Sequence, residues 1–360
     1  MQRALKQRGL EVVYLGDPQE KETWLHKLMA YGEKLRSVLK LSLPEAQQRQ
    51  RFAQHVRQQL SQLPCDVIFA PIASTEVMAI ESETPLVYLS DATAKLFHDE
   101  YLRDYSAGIQ VEVDDAALEQ AEHNEVVAIS KADHLVYPSA WAARSAIQDY
   151  GADRSKVTII PMGANLEHPP TAEEVLARRR APSPDEPLRL LFVGLHWQRK
   201  GGSIAFETLL SLLDRGINAE LTIVGCVPPI EHPKMTVIPF LNKNSPRQQQ
   251  QLDELFWQAH LFILPTRAEC FGMVLCEAGA FGLPVLATEV GGIPSIITDG
   301  LNGYMLPVEA GGEAYASIAS ELRNDPLRYE QMVQASREEY DQRLNWGSWA
   351  DRMKTVLSSL

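Results

Sequence analysis

Along most of the chain, short runs of consecutive apolar residues alternate with longer stretches in which apolar positions recur every three or four, so strands and amphipathic helices are expected in turn. Strands are predicted at 11–15, 66–70, 85–89, 134–137 and 157–160 in the first half, and at 190–193, 221–224, 236–238, 261–264 and 284–287 in the second. Leu190-Leu-Phe-Val193 and Leu261-Phe-Ile-Leu264 are apolar at every position, the pattern of strands buried on both faces of a parallel sheet. Such an alternation folds as α/β, with parallel sheets covered by helices. The stretch 203–213 reads as an amphipathic helix. In the Gln/Arg-rich patch 47–62 and just beyond it, Phe52, Val56, Leu60 and Leu63 recur at helical spacing, which predicts a solvated helix. The first eight residues predict a helix capped by Gly9 and followed by the strand 11–15, so the chain opens inside a βαβ unit that lacks its first strand.

At roughly 150 residues per domain, 360 residues make two domains, each long enough for its own core. The division falls between Pro161 and Pro187, where His168-Pro-Pro-Thr-Ala-Glu-Glu174 and Ala181-Pro-Ser-Pro-Asp-Glu-Pro187 are rich in proline and polar residues. Thr171 and Glu174 form a capping box for a short helix within this linker. The expected boundaries are 1–165, a linker at 166–186, 187–340, and a terminal segment at 341–360. Charge narrows the function: 34 Lys and Arg against 47 Asp and Glu leave −13, which speaks against nucleic acid as a partner. No window approaches the ~18 apolar residues of a membrane-spanning helix, and the charged start lacks the apolar centre of a signal peptide. Four cysteines without metal spacing, Cys65, Cys226, Cys270 and Cys276, read as buried reduced thiols of a cytoplasmic protein.

Two segments carry candidate chemistry. Strand 190–193 runs into Gly194-Leu-His-Trp-Gln-Arg-Lys-Gly-Gly202 and then a helix. A glycine-bearing turn there lets backbone approach an anion, and Arg199 and Lys200 add positive charge at the helix entrance, which suits a diphosphate. A solvated basic turn fits the same residues, which match neither a Walker loop nor Gly-x-Gly-x-x-Gly. After strand 261–264, Phe271-Gly272 opens a second helix, with Glu269 just before it at the edge where open α/β sheets bind ligands. Glu277 falls inside that helix among Val274, Leu275, Cys276, Ala278 and Ala280. A carboxylate buried there needs a hydrogen-bonding partner, such as a pair of ligand hydroxyls. The amides of Gly272 and Met273 would receive phosphate oxygens. The alternative makes Glu269 a charge favoured by the helix dipole and Glu277 an exposed helix residue.

These residues resemble a known family. Glu269, seven intervening residues and Glu277, within Pro265-Thr-Arg-Ala-Glu-Cys-Phe-Gly272 and followed by Gly282-Leu-Pro-Val-Leu-Ala-Thr-Glu-Val-Gly-Gly-Ile-Pro294, closely resemble the donor-site signature of the family 4 glycosyltransferases of GT-B fold. Asp299-Gly-Leu-Asn-Gly-Tyr-Met-Leu-Pro307 continues the likeness, and 192–202 is similar to the family's phosphate loop. Ala132-Asp-His-Leu-Val-Tyr-Pro-Ser-Ala-Trp141 and Val157-Thr-Ile-Ile-Pro-Met-Gly163 resemble its last acceptor-domain strands and the entry to its linker.

The resemblance implies two Rossmann-like domains whose parallel sheets face a cleft, the first holding an acceptor and the second a nucleotide-sugar donor. It implies retaining transfer of a sugar from a nucleotide diphosphate to a glycan, lipid or small-molecule acceptor, with no cofactor and no metal; no Asp-x-Asp motif is present. By the same likeness Glu277 holds the ribose, Glu269 contacts the sugar hydroxyls near the reacting carbon, and Arg199 and Lys200, with Gly194, Phe271, Gly272 and Met273, line the diphosphate. Phe240 and Leu241 stand where the family's backbone meets the base, and a plain surface loop fits them equally. Trp346 and Trp349 lie in the family's terminal helix, which packs back across both domains. The chain departs from the family in three places. Leu195 stands where many relatives carry Arg. Ser90-Asp-Ala-Thr93 stands where relatives often place a histidine, which leaves Asp91, and less directly His98, as acceptor-side candidates, with Ser90 and Asp91 also readable as a helix cap. The family's first glycine-bearing loop has no counterpart. A non-catalytic nucleotide-sugar-binding protein or a truncated fragment is the competing reading, then a nucleotide-sugar epimerase or a phosphorylase; peripheral membrane contact is left open.

Overall fold

The computed structural model describes residues 1–15, 45–78, 80–102 and 115–360, and they build two parallel sheets. In the first, β1 (Ile68–Pro71), β2 (Leu86–Leu89), β3 (His134–Tyr137) and β4 (Val157–Ile159) lie side by side in that order, with Ile68 beside Leu86, Val87 beside His134 and Leu135 beside Val157. The second is formed by β5 (Leu188–Val193), β6 (Ala219–Val224), β7 (Met235–Ile238), β8 (Leu261–Leu264), β9 (Val285–Thr288) and β10 (Gly303–Leu306), in the order β10-β9-β8-β5-β6-β7.

Strand β2 shows why its residues are apolar without alternation. Leu86 and Tyr88 pack with Ala128 and Ile129 of the helix Asp115–Lys131, with Ala132 just beyond it, and with Ala142 and Ala146 of the helix Ala140–Gln148. Val87 and Leu89, on the opposite face, pack with Trp349, Ala350 and Met353 of the helix Trp346–Leu357 and with Ala4 and Leu5 of the helix Gln2–Gln7. Side chains of a strand alternate in direction, so burial on both faces makes every position apolar. The expected terminal helix is thus Trp346–Leu357, laid across the first sheet, while residues 341–343 complete the preceding helix, Pro326–Arg343.

Two strand expectations are corrected. Residues 11–15 form no strand: Val13 and Tyr14 are exposed, and only Leu10 and Val12 lean on the core. Strand β10 was not foreseen because it begins on a glycine and fully buries only Gly303 and Leu306. The cysteine expectation is corrected at one position, since Cys65 is exposed while Cys226, Cys270 and Cys276 are buried.

Gly9 closes the first helix as expected, its N–H donating to the Lys6 carbonyl while that of Leu10 reaches Leu5. The linker helix, Ala172–Arg178, starts on the predicted capping box: Thr171 Oγ1 accepts from the Glu174 amide at 3.2 Å and the Thr171 amide donates to Glu174 Oε2 at 2.7 Å. Arg179, buried just beyond it, donates to the carbonyls of Phe281, Ala259 and Phe256 at 2.7–2.8 Å, which staples the linker to the second sheet's helices. Among the described residues no helix is long and apolar enough to cross a membrane.

Candidate functional site

In the second sheet β5 lies between β6 and β8, so the chain winds outward from β5 in both directions. At such a switch point the loops leaving adjacent strands part and open a crevice at the carboxyl edge. The loop after β5 carries Gly194, Arg199 and Lys200; the loop after β8 carries Glu269 and Phe271. The strand order therefore brings these two segments together although about 70 residues of sequence separate them.

Backbone contacts lock the two loops. Gly201 has φ +73°, and a Cβ there would overlap the Pro265 carbonyl. Gly291, φ +53°, lies equally close to the Glu269 carbonyl, so the Glu269 loop is held between two glycines. The Arg199 carbonyl accepts from the Arg267 amide at 2.8 Å and from Thr266 Oγ1 at 3.0 Å. The Arg199 side chain is buried and donates to the Ala268 carbonyl at 3.0 Å. Of the basic pair, then, Arg199 braces the second loop while Lys200 forms an ion pair with Glu269, both side chains about nine-tenths buried. Beyond Glu269, Phe271 is buried in the core and Gly272 caps the helix Met273–Ala280, whose first amides have no intrahelical acceptor.

Glu277 lies one turn into that helix and is 1% exposed, so the reading of it as an exposed helix residue is overturned. Lys243 Nζ donates to both of its carboxylate oxygens, each at 2.6 Å. Burial drives the Glu277 carboxyl above the usual carboxylate range, against the pull of Lys243, and the charge of Asp253 adds to the rise. Sequence reasoning missed Lys243 as a partner; its one signal was a place in the loop after β7, next to Phe240 and Leu241. Phe240 is exposed, whereas Leu241 leans on the second sheet's core.

From the first sheet, Asp91 follows β2 at the carboxyl edge. Burial raises its carboxyl, the amides of Asp91 and Ala92 pull it back, and the charge of Glu269 raises it further. Burial pushes the Cys270 thiol up to about 12, and the charges of both Asp91 and Glu269 contribute. Asp91, on the first sheet, is thus close enough to Glu269 on the second for their charges to interact. The reading of Ser90 and Asp91 as a helix cap is corrected: Thr93 caps the helix Ala94–Leu96, and Ser90 Oγ donates to the Ala92 carbonyl at 2.6 Å. A direct bond joins the halves nearby, from the Ala140 amide to Ser295 Oγ at 3.3 Å. His98 lies beyond this helix, with Nδ1 3.0 Å from Asp99 Oδ1. Leu195 is exposed, and among the described residues no three His, Cys, Asp or Glu side chains converge as metal ligands.

Comparison with known proteins bears on both halves. Residues 187–325 match the family model described as glycosyl transferases group 1, and residues 1–168 match that described as glycosyltransferase family 4. Over 229 residues the chain is 28% identical to a D-inositol 3-phosphate glycosyltransferase of Streptomyces avermitilis, a match covering 59% of this chain and 49% of that protein. The chain spans about half the length of the curated relatives it matches. Among solved structures, a sucrose-phosphate synthase from Thermosynechococcus elongatus superposes with a TM-score of 0.65 at 18% identity, covering 88% of this chain and 80% of that one. HepE of Anabaena, in complex with UDP and glucose, superposes with a TM-score of 0.61 at 16% identity, covering 87% and 81%.

Proposed function

The chain belongs to the family 4, group 1 glycosyltransferases of GT-B fold, and on that premise we propose that it moves a sugar, with retention, from a nucleotide-diphosphate donor on the second sheet to an acceptor on the first. The observation that carries this reading is the Lys200–Glu269 ion pair at the switch point of the second sheet, with Asp91 of the first sheet close enough for its charge to interact with that of Glu269.

The chemistry asks for what these residues supply. As the bond between the anomeric carbon and the diphosphate oxygen breaks, negative charge gathers on the leaving group and positive charge on the sugar. Lys200 and the first amides of the helix Met273–Ala280 meet the negative charge, and their partly buried setting strengthens them. Glu269, held by Lys200, orients the sugar hydroxyls. Asp91 takes the proton of the acceptor hydroxyl as that oxygen bonds to the anomeric carbon from the same face the diphosphate leaves, which keeps the configuration; a carboxyl raised by burial is a better base than an exposed one. Glu277, a buried carboxylate that Lys243 pairs, accepts from the ribose hydroxyls. Each of these steps is carried by the chain's own side chains and amides, without a metal or a cofactor. The acceptor, a glycan, lipid or small molecule, lies against the first sheet, and the work is done in the cytoplasm, where nucleotide sugars are available.

Titration of the chain with uridine, guanosine and adenosine diphosphates, followed by the thermal midpoint, tests the donor half directly. At least one of them raises the midpoint, and the matching nucleotide sugar is consumed when acceptor is added. A flat response to all three overturns the reading.

A further inference from the structure

Resting on that reading, we propose that Lys243 is a nucleotide-site residue: a movable counter-ion that covers both oxygens of Glu277 and yields them to the two vicinal hydroxyls of the donor's ribose.

The geometry is asymmetric. Glu277 is fixed in a helix between buried Cys276 and Ala278, with a side chain 2% exposed; the Lys243 side chain is 39% exposed and reaches it from the open side. The loop that carries the lysine is pinned by its own backbone bonds. The Asn242 amide donates to Gln248 Oε1 at 2.6 Å, the Asn244 amide to Asn242 Oδ1 at 3.0 Å, and the Ser245 amide to the Asn242 carbonyl at 2.9 Å. The backbone therefore stays in place while the four-carbon stem is free to swing, as lysine stems do. The ammonium gives one hydrogen bond to each carboxylate oxygen, at equal distances. Two adjacent hydroxyls can replace these contacts one for one, so the buried acid is never left without a donor, a condition that would be strongly unfavourable.

The groups around Glu277 assign the charge balance. Lys243 faces it from the loop after β7, Asp253 from the helix Pro246–Gln258, and the backbone of Asn165 from the linker side. Cys276 on its own helix has Arg343 of the helix Pro326–Arg343 as its cationic neighbour. Lys243 is the cation bonded to Glu277, so its removal leaves the Asn165 backbone as the counterweight to burial and Asp253, and the carboxyl takes up a proton more readily. A protonated Glu277 turns one of its oxygens into a donor and loses its charge, so it no longer offers each of two hydroxyls an anionic acceptor.

The test is the pH profile of nucleoside diphosphate binding, measured by calorimetry from about pH 6 to about pH 8.5 with uridine, guanosine and adenosine diphosphates on the full chain, Lys243→Met and Lys243→Arg. Relative to the unaltered chain, Lys243→Met weakens as pH falls, by up to about tenfold per pH unit once Glu277 holds its proton. Lys243→Arg keeps the unaltered profile because its charge persists. A Lys243→Met profile parallel to the unaltered one, whether or not the affinity is uniformly lower, overturns the assignment and leaves the transferase reading standing. Failure of the unaltered chain to bind any of the three diphosphates sinks the transferase reading itself.

Discussion

Among the described residues each half buries one glutamate, Glu125 in the first and Glu277 in the second, and the two are satisfied by different partners. Glu125, 3% exposed on the helix Asp115–Lys131, accepts from the Tyr88 hydroxyl at 2.9 Å, and its other oxygen has no partner. It is pushed up to about 7, chiefly by burial. Glu277 has a charged partner instead, on an exposed stem at the carboxyl edge of a sheet. A neutral phenol inside a core makes a packing element of one acid; a displaceable cation at a crevice makes a binding group of the other. The halves differ in the same sense overall. The second covers both faces of its sheet with its own helices and the linker helix, in one continuous core. The first covers one face with helices from the two ends of the described chain.

The largest expected effect tests that dependence. Trp349 is fully buried against Val87, Leu89 and Val136, so Trp349→Ala lowers unfolding stability by about 3–5 kcal/mol. Denaturant unfolding followed separately by nucleotide binding shows the first half lost before the second; loss of both in one step would mean that the halves stand or fall together. Next in size is Asp91→Asn, which lowers kcat by ~10²–10³-fold as the removal of a general base does, with nucleoside diphosphate affinity unchanged. A matching fall in affinity would place Asp91 on the donor side.

Glu125→Gln separates the two buried acids by pH. Because the folded value of about 7 lies above the ordinary 4.5, the folded chain holds this proton more tightly than the unfolded one. The resulting stability is complete below the ordinary value and is lost as pH rises through 7, a loss of up to about 3 kcal/mol. In Glu125→Gln that slope disappears from the unfolding profile while nucleotide binding stays as it was. The smallest effect is Glu277→Ala, which weakens nucleoside diphosphate binding by about 10–100-fold, the worth of hydrogen bonds to a charged group. Calorimetry with an unchanged affinity would remove the contrast between the two glutamates.

Much of the frame is legible along the chain because it is local. Runs such as 190–193 and 261–264 need no partner to declare themselves as strands buried on both faces, and the capping box at Thr171 and the closing of the first helix at Gly9 are satisfied within a few residues. Residues 11–15 misled because an apolar run shows that a segment can be a strand, not that a neighbour is placed to pair with it. Strand β10 was hidden for the converse reason: a glycine and two half-buried positions carry no pattern, and pairing with β9 alone makes it a strand.

The sequence by itself determined the α/β class and singled out Glu269 and Glu277 as candidate acids from residue type and place within one segment, whereas Asp91 came forward only through the family likeness. Only the tertiary structure decided how those acids are served: Lys200 on Glu269, Lys243 on Glu277, Arg199 turned inward to brace a loop, and Asp91 brought close to Glu269. The physical reason is that a charge partner is chosen by distance in space, and that distance follows from the order in which the strands assemble, which no single segment encodes.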